Sequence, residues 1–180
     1  MKLVIAGVNL TDEIKDSFKS SGYKVLSYTD DGFDAINLCR EHNPDIFLTT
    51  INLSFIDGIS VSKIIKNENI KTSVVFILDN INKDLINNLK LVGAKGFLTY
   101  PLKKDDLIAT IELSNHIEEE FIKLKKEKEL IDKAKGILMI NENLSEDDAY
   151  SKIRKYSMEK RVTMREIAEF ITISNEFKIK

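Results

Sequence analysis

Basic side chains are frequent near the end of the sequence, among them Lys135, Arg154, Lys155, Lys160, Arg161 and Arg165. Cations at such density can contact successive phosphates of a nucleic acid and release its counterions. Tyr150 lies among them, and an aromatic ring can stack on an unpaired base. The structural alternatives are a solvated mixed-charge helix surface and a core tyrosine, since Glu and Asp are interleaved with these residues. A second place draws attention for what it lacks. The stretch DIFLTTINLSFIDG, Asp45–Gly58, reads as a buried strand running into a turn, with Thr49 and Thr50 where the strand ends. A threonine hydroxyl is a weak nucleophile at neutral pH without an adjacent base. The nearby acids are Asp57 in the turn and Asp79 after the next apolar run. Cys39, the single cysteine, excludes an internal disulfide, and its place on the inner side of a helical pattern reads as core.

The elements that must position these groups follow a simple rhythm. Up to about residue 113, short apolar runs alternate with amphipathic segments. The strand candidates are Lys2–Ala6, Lys24–Tyr28, Asp45–Thr50, Ser73–Leu78 and Gly96–Tyr100, with helical periodicity between them. Ile36, Leu38 and Cys39 mark one helix face, and Leu85, Leu89 and Val92 another. DIFL and VVFIL are apolar throughout, as in strands covered on both sides. Such alternation predicts an α/β fold, a five-stranded doubly wound parallel sheet of flavodoxin-like order.

Beyond Tyr100–Leu107 the rhythm changes. A helical pattern runs from Lys104 to about Ile140, with Ile117, Leu124, Ile131 and Leu138 every seven residues and Phe121 between them. This reads as a long helix with a short coiled-coil seam, weakened where Lys128 and Lys135 continue the column of Phe121. The residues expected to dimerise are Ile117, Phe121, Leu124 and Ile131. Two further helices follow, one capped by Ser145 and one by a Thr163/Glu166 capping box, with Asn143 suited to end the long helix in the left-handed conformation. Their apolar faces fall at Ala149, Tyr150, Ile153 and Tyr156 or Ser157, then at Ile167, Ala168 and Ile171. The result is a small three-helix bundle.

Charge divides the same way. Residues 1–122 hold 13 basic and 18 acidic residues, a net of −5, and residues 123–180 hold 14 and 11, a net of +3. The second part could face a polyanion that the first repels, or simply carry a mixed-charge helical surface, the reading that charge alone favours. No run is long and apolar enough to span a membrane. The start MKLVIAGVNLTDE passes directly from a short apolar run into a polar helix start, unlike a secretory leader, so the expected location is the cytoplasm.

Three segments carry a resemblance. GYKVLSYTDDGFDAINLCREHNPDIFL, Ile56–Gly58 and GAKGFLTYPL (Gly93–Leu102) resemble the receiver domain of bacterial two-component response regulators. The resemblance implies an aspartate acceptor at the end of the third strand, an acidic pair for Mg²⁺ after the first, a Thr or Ser ending the fourth, and a Lys before the proline. This sequence has Thr50 at the acceptor position, Gly7 and Val8 for the acidic pair, Leu78 for the hydroxyl and Tyr100 for the lysine. A degenerate phosphorylation pocket, without metal or cofactor, is therefore expected.

Leu130–Ile171 resembles the ANTAR domain, the AmiR/NasR-type antiterminator module, through Ala134–Met139, Leu144, Ser145, Ala149, Tyr150, Ile153, Arg154, Met158, Ile167 and Ala168. Asn141 and Asn143 depart from an Arg and a Gly common there. The resemblance implies binding of paired hairpins in nascent transcripts, favoured over a terminator, and no catalysis. The expected organisation is a receiver-like domain at 1–113, a coiled-coil linker helix at 114–133 and an ANTAR RNA-binding domain at 134–180. The expected partners are RNA hairpins in mRNA leaders, a second copy of the chain and a regulatory protein. The competing readings are a phosphorylation-responsive regulator with an atypical pocket and a DNA-binding regulator.

Overall fold

The computed structural model describes residues 1–178. They form two compact units, Met1–Glu119 and Glu120–Lys180. The division falls inside the segment expected to be a linker.

The first unit is built from β1 (Lys2–Ala6), α1 (Asp12–Ser20), β2 (Lys24–Thr29), α2 (Gly32–His42), β3 (Ile46–Thr49), α3 (Gly58–Asn67), β4 (Ser73–Leu78), α4 (Lys83–Val92) and β5 (Gly96–Thr99). The start of α5 (Lys104–Glu142) completes it. All strand pairs are parallel, in the order β2-β1-β3-β4-β5. The chain thus reverses direction across the sheet at β1 and β3, the switch point beside which such folds place their sites.

Alternation along the strands sorts the core into two layers. Val4, Ala6, Phe47, Val74, Phe76 and Leu78 face one way, against Ala35, Ile36 and Cys39 of α2, Val61 and Ile65 of α3 and Leu89 of α4. Leu3, Ile5, Ile46, Leu48, Val75 and Ile77 face the other, against Ile14 and Phe18 of α1 and Leu107 and Ile111 of α5. Every residue of β3 and β4 is buried, which is why both read as continuous apolar runs. Cys39 is fully enclosed, and burial pushes its thiol up to about 12, far from a reactive thiolate.

The second unit contains the rest of α5, α6 (Glu146–Lys160) and α7 (Met164–Lys178). Asn143 ends α5 with φ 53°, as its short polar side chain permits. Ser145 caps α6 by accepting from the Asp148 N–H at 3.1 Å. At α7 the box closes both ways: the Glu166 N–H donates to Thr163 Oγ1 at 3.2 Å, and the Thr163 N–H donates to Glu166 Oε2 at 2.8 Å. The core comprises Ala134, Leu138, Ala149, Ile153 and Ala168, ringed by Leu130, Ile131, Leu144, Met164, Ile167 and Ile171.

Two details differ from the periodicity. Tyr150 and Tyr156 are 45% and 39% exposed, so α6 buries only the narrow stripe of Ala149 and Ile153. The small residues Ala134, Ala149 and Ala168 bring the three helices together, leaving no room between them for a tyrosine ring. The heptad seam also divides. Ile131 and Leu138 pack in the unit's own core, whereas Ile117, Phe121 and Leu124 remain exposed on α5.

Arg161 caps the end of α6 at φ 57°, a conformation that disfavours any Cβ-bearing residue. Arg161→Gly is expected to raise the stability of this unit by about 1 kcal/mol, read as a higher urea midpoint.

Candidate functional site

Two surfaces carry the residues that the sequence singles out. The first lies at the carboxyl ends of β1, β3, β4 and β5. Gly7 leaves β1 at φ +67°, and a Cβ there would lie 2.5 Å from Thr50 Oγ1 and 2.6 Å from Leu53 Cδ2. Thr50 and Leu53 thus occupy the space that a side chain at position 7 would need. The Thr50 hydroxyl donates to the Asn52 carbonyl at 3.3 Å, and the Thr49 hydroxyl to the Thr50 carbonyl at 3.0 Å. Gly58 is required behind them, since a Cβ on it would stand 2.0 Å from the Thr50 carbonyl oxygen.

Leu78 is buried in the core layer beneath, and Val8 packs at the edge of the opposite layer. Tyr100 packs on that second layer too, and its hydroxyl accepts the Asn9 N–H at 3.3 Å. Burial raises the Tyr100 pKa, the Asn9 bond opposes this and the Asp79 charge adds to it. Asp57 is the N-cap of α3, accepting from the Ser60 N–H and hydroxyl, both at 2.9 Å. Partial burial pushes its carboxyl upward, but the hydrogen bonds outweigh this and hold it below the ordinary range. A cleft of about 250 Å³ opens beside Gly7 and Val8, bounded by Lys15, Tyr28 and Asp30.

The second surface belongs to α6 and its flanks. Tyr150, Arg154 and Met158 recur every fourth residue, and Arg161 continues the line, so all four share one stripe. Each is exposed, Met158 at 64%. No carboxylate lies within ion-pair distance of Arg154, Lys160 or Arg161 among the described residues. Lys155 and Arg165 have helical partners one turn on, Glu159 at 3.9 Å and Glu169 at 3.1 Å, in exposed pairs of little strength. Lys155 and Lys160 project to either side of the stripe, and Arg165 lies on α7.

Lys135 is placed differently from the other cations. Its ammonium sits 2.7 Å from both Asp132 and Glu146, tying α5 to the start of α6. The hydrogen bonds to Asp132 and then Glu146 raise its pKa, so the clamp is complete below the ordinary lysine value and fades only in strong alkali. Lys152 pairs with Glu142 and lies 5.8 Å from the centre of the Tyr156 ring. Met158 is the residue on this surface that charge and aromaticity did not mark. Its match to the ANTAR domain singles it out in the sequence, without a role.

Comparison with known proteins decides the family. Residues 8–112 match the response regulator receiver domain, and residues 126–171 match the ANTAR domain. The chain is a response regulator, a receiver followed by an ANTAR domain. It is 27% identical over 169 residues to the transcriptional regulatory protein PdtaR of Mycobacterium tuberculosis, covering 88% of this chain and 82% of that protein. The chemotaxis protein CheY of Bacillus subtilis matches the front alone, 26% identical over 98 residues, 54% of this chain and 82% of CheY. Among solved structures, the receiver domain of Francisella response regulator 1452 aligns with TM-score 0.56 and 27% identity, over 64% of this chain and 96% of that one. The receiver domain of a modulated diguanylate cyclase from Desulfovibrio desulfuricans aligns with TM-score 0.57 and 25% identity, over 66% and 95%. No helix of the described residues is long and apolar enough to cross a membrane.

Proposed function

We propose that this response regulator is an RNA-binding antiterminator whose receiver accepts no phosphoryl group. The observation that carries the RNA reading is the exposed stripe of Tyr150, Arg154, Met158 and Arg161 on the ANTAR unit. It pairs a ring able to stack on a loop base with unpaired cations able to contact phosphate. Lys155, Lys160 and Arg165 flank it and widen the electropositive surface, while Lys135 acts as a positioning residue through its clamp on Glu146. By holding hairpins in a nascent mRNA leader, the chain favours that structure over a competing terminator. Binding and release suffice for this, without catalysis.

The receiver half of the proposal rests on geometry. Mg²⁺ takes near-octahedral oxygen ligands, normally including carboxylates. The positions that would hold it offer Gly7, Val8 and the hydroxyl of Thr50, and the residues present do not fit the ion. No carboxylate stands at the acceptor position, and Asp57 is engaged as a helix cap. The receiver then serves dimerisation or partner binding. Ile117, Phe121 and Leu124 supply an apolar strip on α5 for a second copy, and a dimer holding two hairpins gains avidity.

Gly136 gives a test in which stability and binding move in opposite directions. It lies within α5, and a Cβ there would meet no atom within 4 Å. Gly136→Ala should therefore stabilise the helix by about 1 kcal/mol. If RNA approaches this face closely, the same change weakens RNA binding several-fold. Chemical denaturation and RNA titration on one preparation read both effects. The reading as a whole is tested by competing a two-hairpin RNA against duplex DNA in a gel-shift experiment. Preference for the RNA is expected, and preference for the duplex would assign the stripe to DNA.

A further inference from the structure

Phe55 stands in the turn between β3 and α3 at φ 63°, where a bulky side chain is a conformational outlier. Its side chain gains no burial in return, being 83% exposed. Residues held in strained backbone without packing reward concentrate at binding surfaces. Phe33, 56% exposed at the start of α2, lies beside it, with ring centroids 6.5 Å apart and planes tilted by 48°.

The two turns that carry the rings are joined through their backbones. The Ser54 N–H donates to the Asp30 carbonyl at 2.8 Å, and the Gly32 N–H to the Ser54 carbonyl at 3.0 Å, joining the two turns. They also pack closely, since a Cβ on Gly32 would stand 2.0 Å from the Ile56 carbonyl oxygen. The two turns that carry the rings are acidic, and the cation nearest to them in the adjoining cleft is Lys15, beside Asp30. Residues 28–37 and 50–60 contain Asp30, Asp31, Asp34 and Asp57 and no lysine or arginine.

We propose that Phe33 and Phe55 form a docking knob for a protein partner presenting an apolar pocket bordered by lysines and arginines. Aromatic side chains have few rotatable bonds to lose on burial and are typical anchors of protein interfaces. The acids select a basic rim and exclude nucleic acid, so this surface acts separately from the ANTAR stripe. It would give a receiver that takes no phosphoryl group a way to receive a signal.

The test replaces Phe55 with the photo-cross-linking residue p-benzoylphenylalanine in the full chain, which is then irradiated in its native cell. We expect one discrete protein adduct with a cross-linked peptide rich in Lys or Arg. Its yield should fall at least about 10-fold with Phe33→Ala, and equally with Asp30→Lys plus Asp34→Lys. The protein so identified, once purified, should bind Phe55→Gly about 30-fold more weakly. Glycine suits the backbone at that position, so Phe55→Gly should melt no lower than the parent, and misfolding would not explain the loss. Its RNA affinity should be unchanged, which keeps this test independent of the RNA reading. Absence of an adduct, an adduct only to RNA or to a second copy, insensitivity to Phe33 or to charge reversal, or equal binding by Phe55→Gly would each overturn the proposal.

Discussion

Tyr150→Ala combined with Arg154→Glu is expected to weaken binding of a two-hairpin RNA by about 100-fold or more at physiological salt. Each residue contributes by a different mechanism, and the salt dependence separates them. Stacking on a base is worth about 1–3 kcal/mol and carries no ionic term. Tyr150→Ala alone should therefore lower affinity about 10-fold and leave the slope of log affinity against log salt unchanged. Loss of a phosphate contact at Arg154 should reduce that slope by about 1. Both side chains are exposed and outside the unit's core, so melting should hardly change. Fluorescence anisotropy with labelled RNA at three salt concentrations would measure all of this. Equal slopes for the parent and Arg154→Glu would place that arginine away from phosphate.

The second large effect concerns the scaffold beneath the stripe. Ile153 is completely buried and faces the opposite side of α6 from Arg154 and Met158. Ile153→Ala should cost about 2–5 kcal/mol. A core of so few residues has little stability to lose, and the ANTAR unit should open for much of the time at growth temperature. RNA binding should then fall with it, although no contacting residue is changed. The two receiver core layers contain none of these residues. Hydrogen exchange resolved by peptide should show protection lost in α6 and α7 and retained in β3 and β4.

Much of the architecture was legible because it rests on local chemistry. Uninterrupted apolar runs marked β3 and β4 as covered on both faces, and Ser145, Asn143 and the Thr163/Glu166 box marked the helix boundaries. That Gly7, Thr50, Leu78 and Tyr100 fall at the ends of strands was legible from their neighbours. How the pocket is filled was not, because the contact of Gly7 with Thr50 and Leu53 is made across the sheet. Lys135 shows the same limit. Its partner Glu146 lies beyond the turn that ends α5, so only the folded unit reveals that the cation is already paired. Tyr150 fitted an apolar helix face as readily as an exposed one, because it lies one position from Ala149. The close helix approach at Ala134, Ala149 and Ala168 decides between them. Phe55 gave no warning at all. Glycine, asparagine or aspartate usually marks a left-handed turn position, and phenylalanine does not.

The proposed pairing of an RNA-reading unit with a receiver that takes no phosphoryl group is tested most directly by one titration. The full chain is titrated into a fluorescent two-hairpin leader RNA, with and without prior incubation with acetyl phosphate and Mg²⁺. The account predicts salt-sensitive binding with the same midpoint in both arms. A midpoint that shifts after acetyl phosphate treatment, or an RNA that is not bound at low salt, would contradict it.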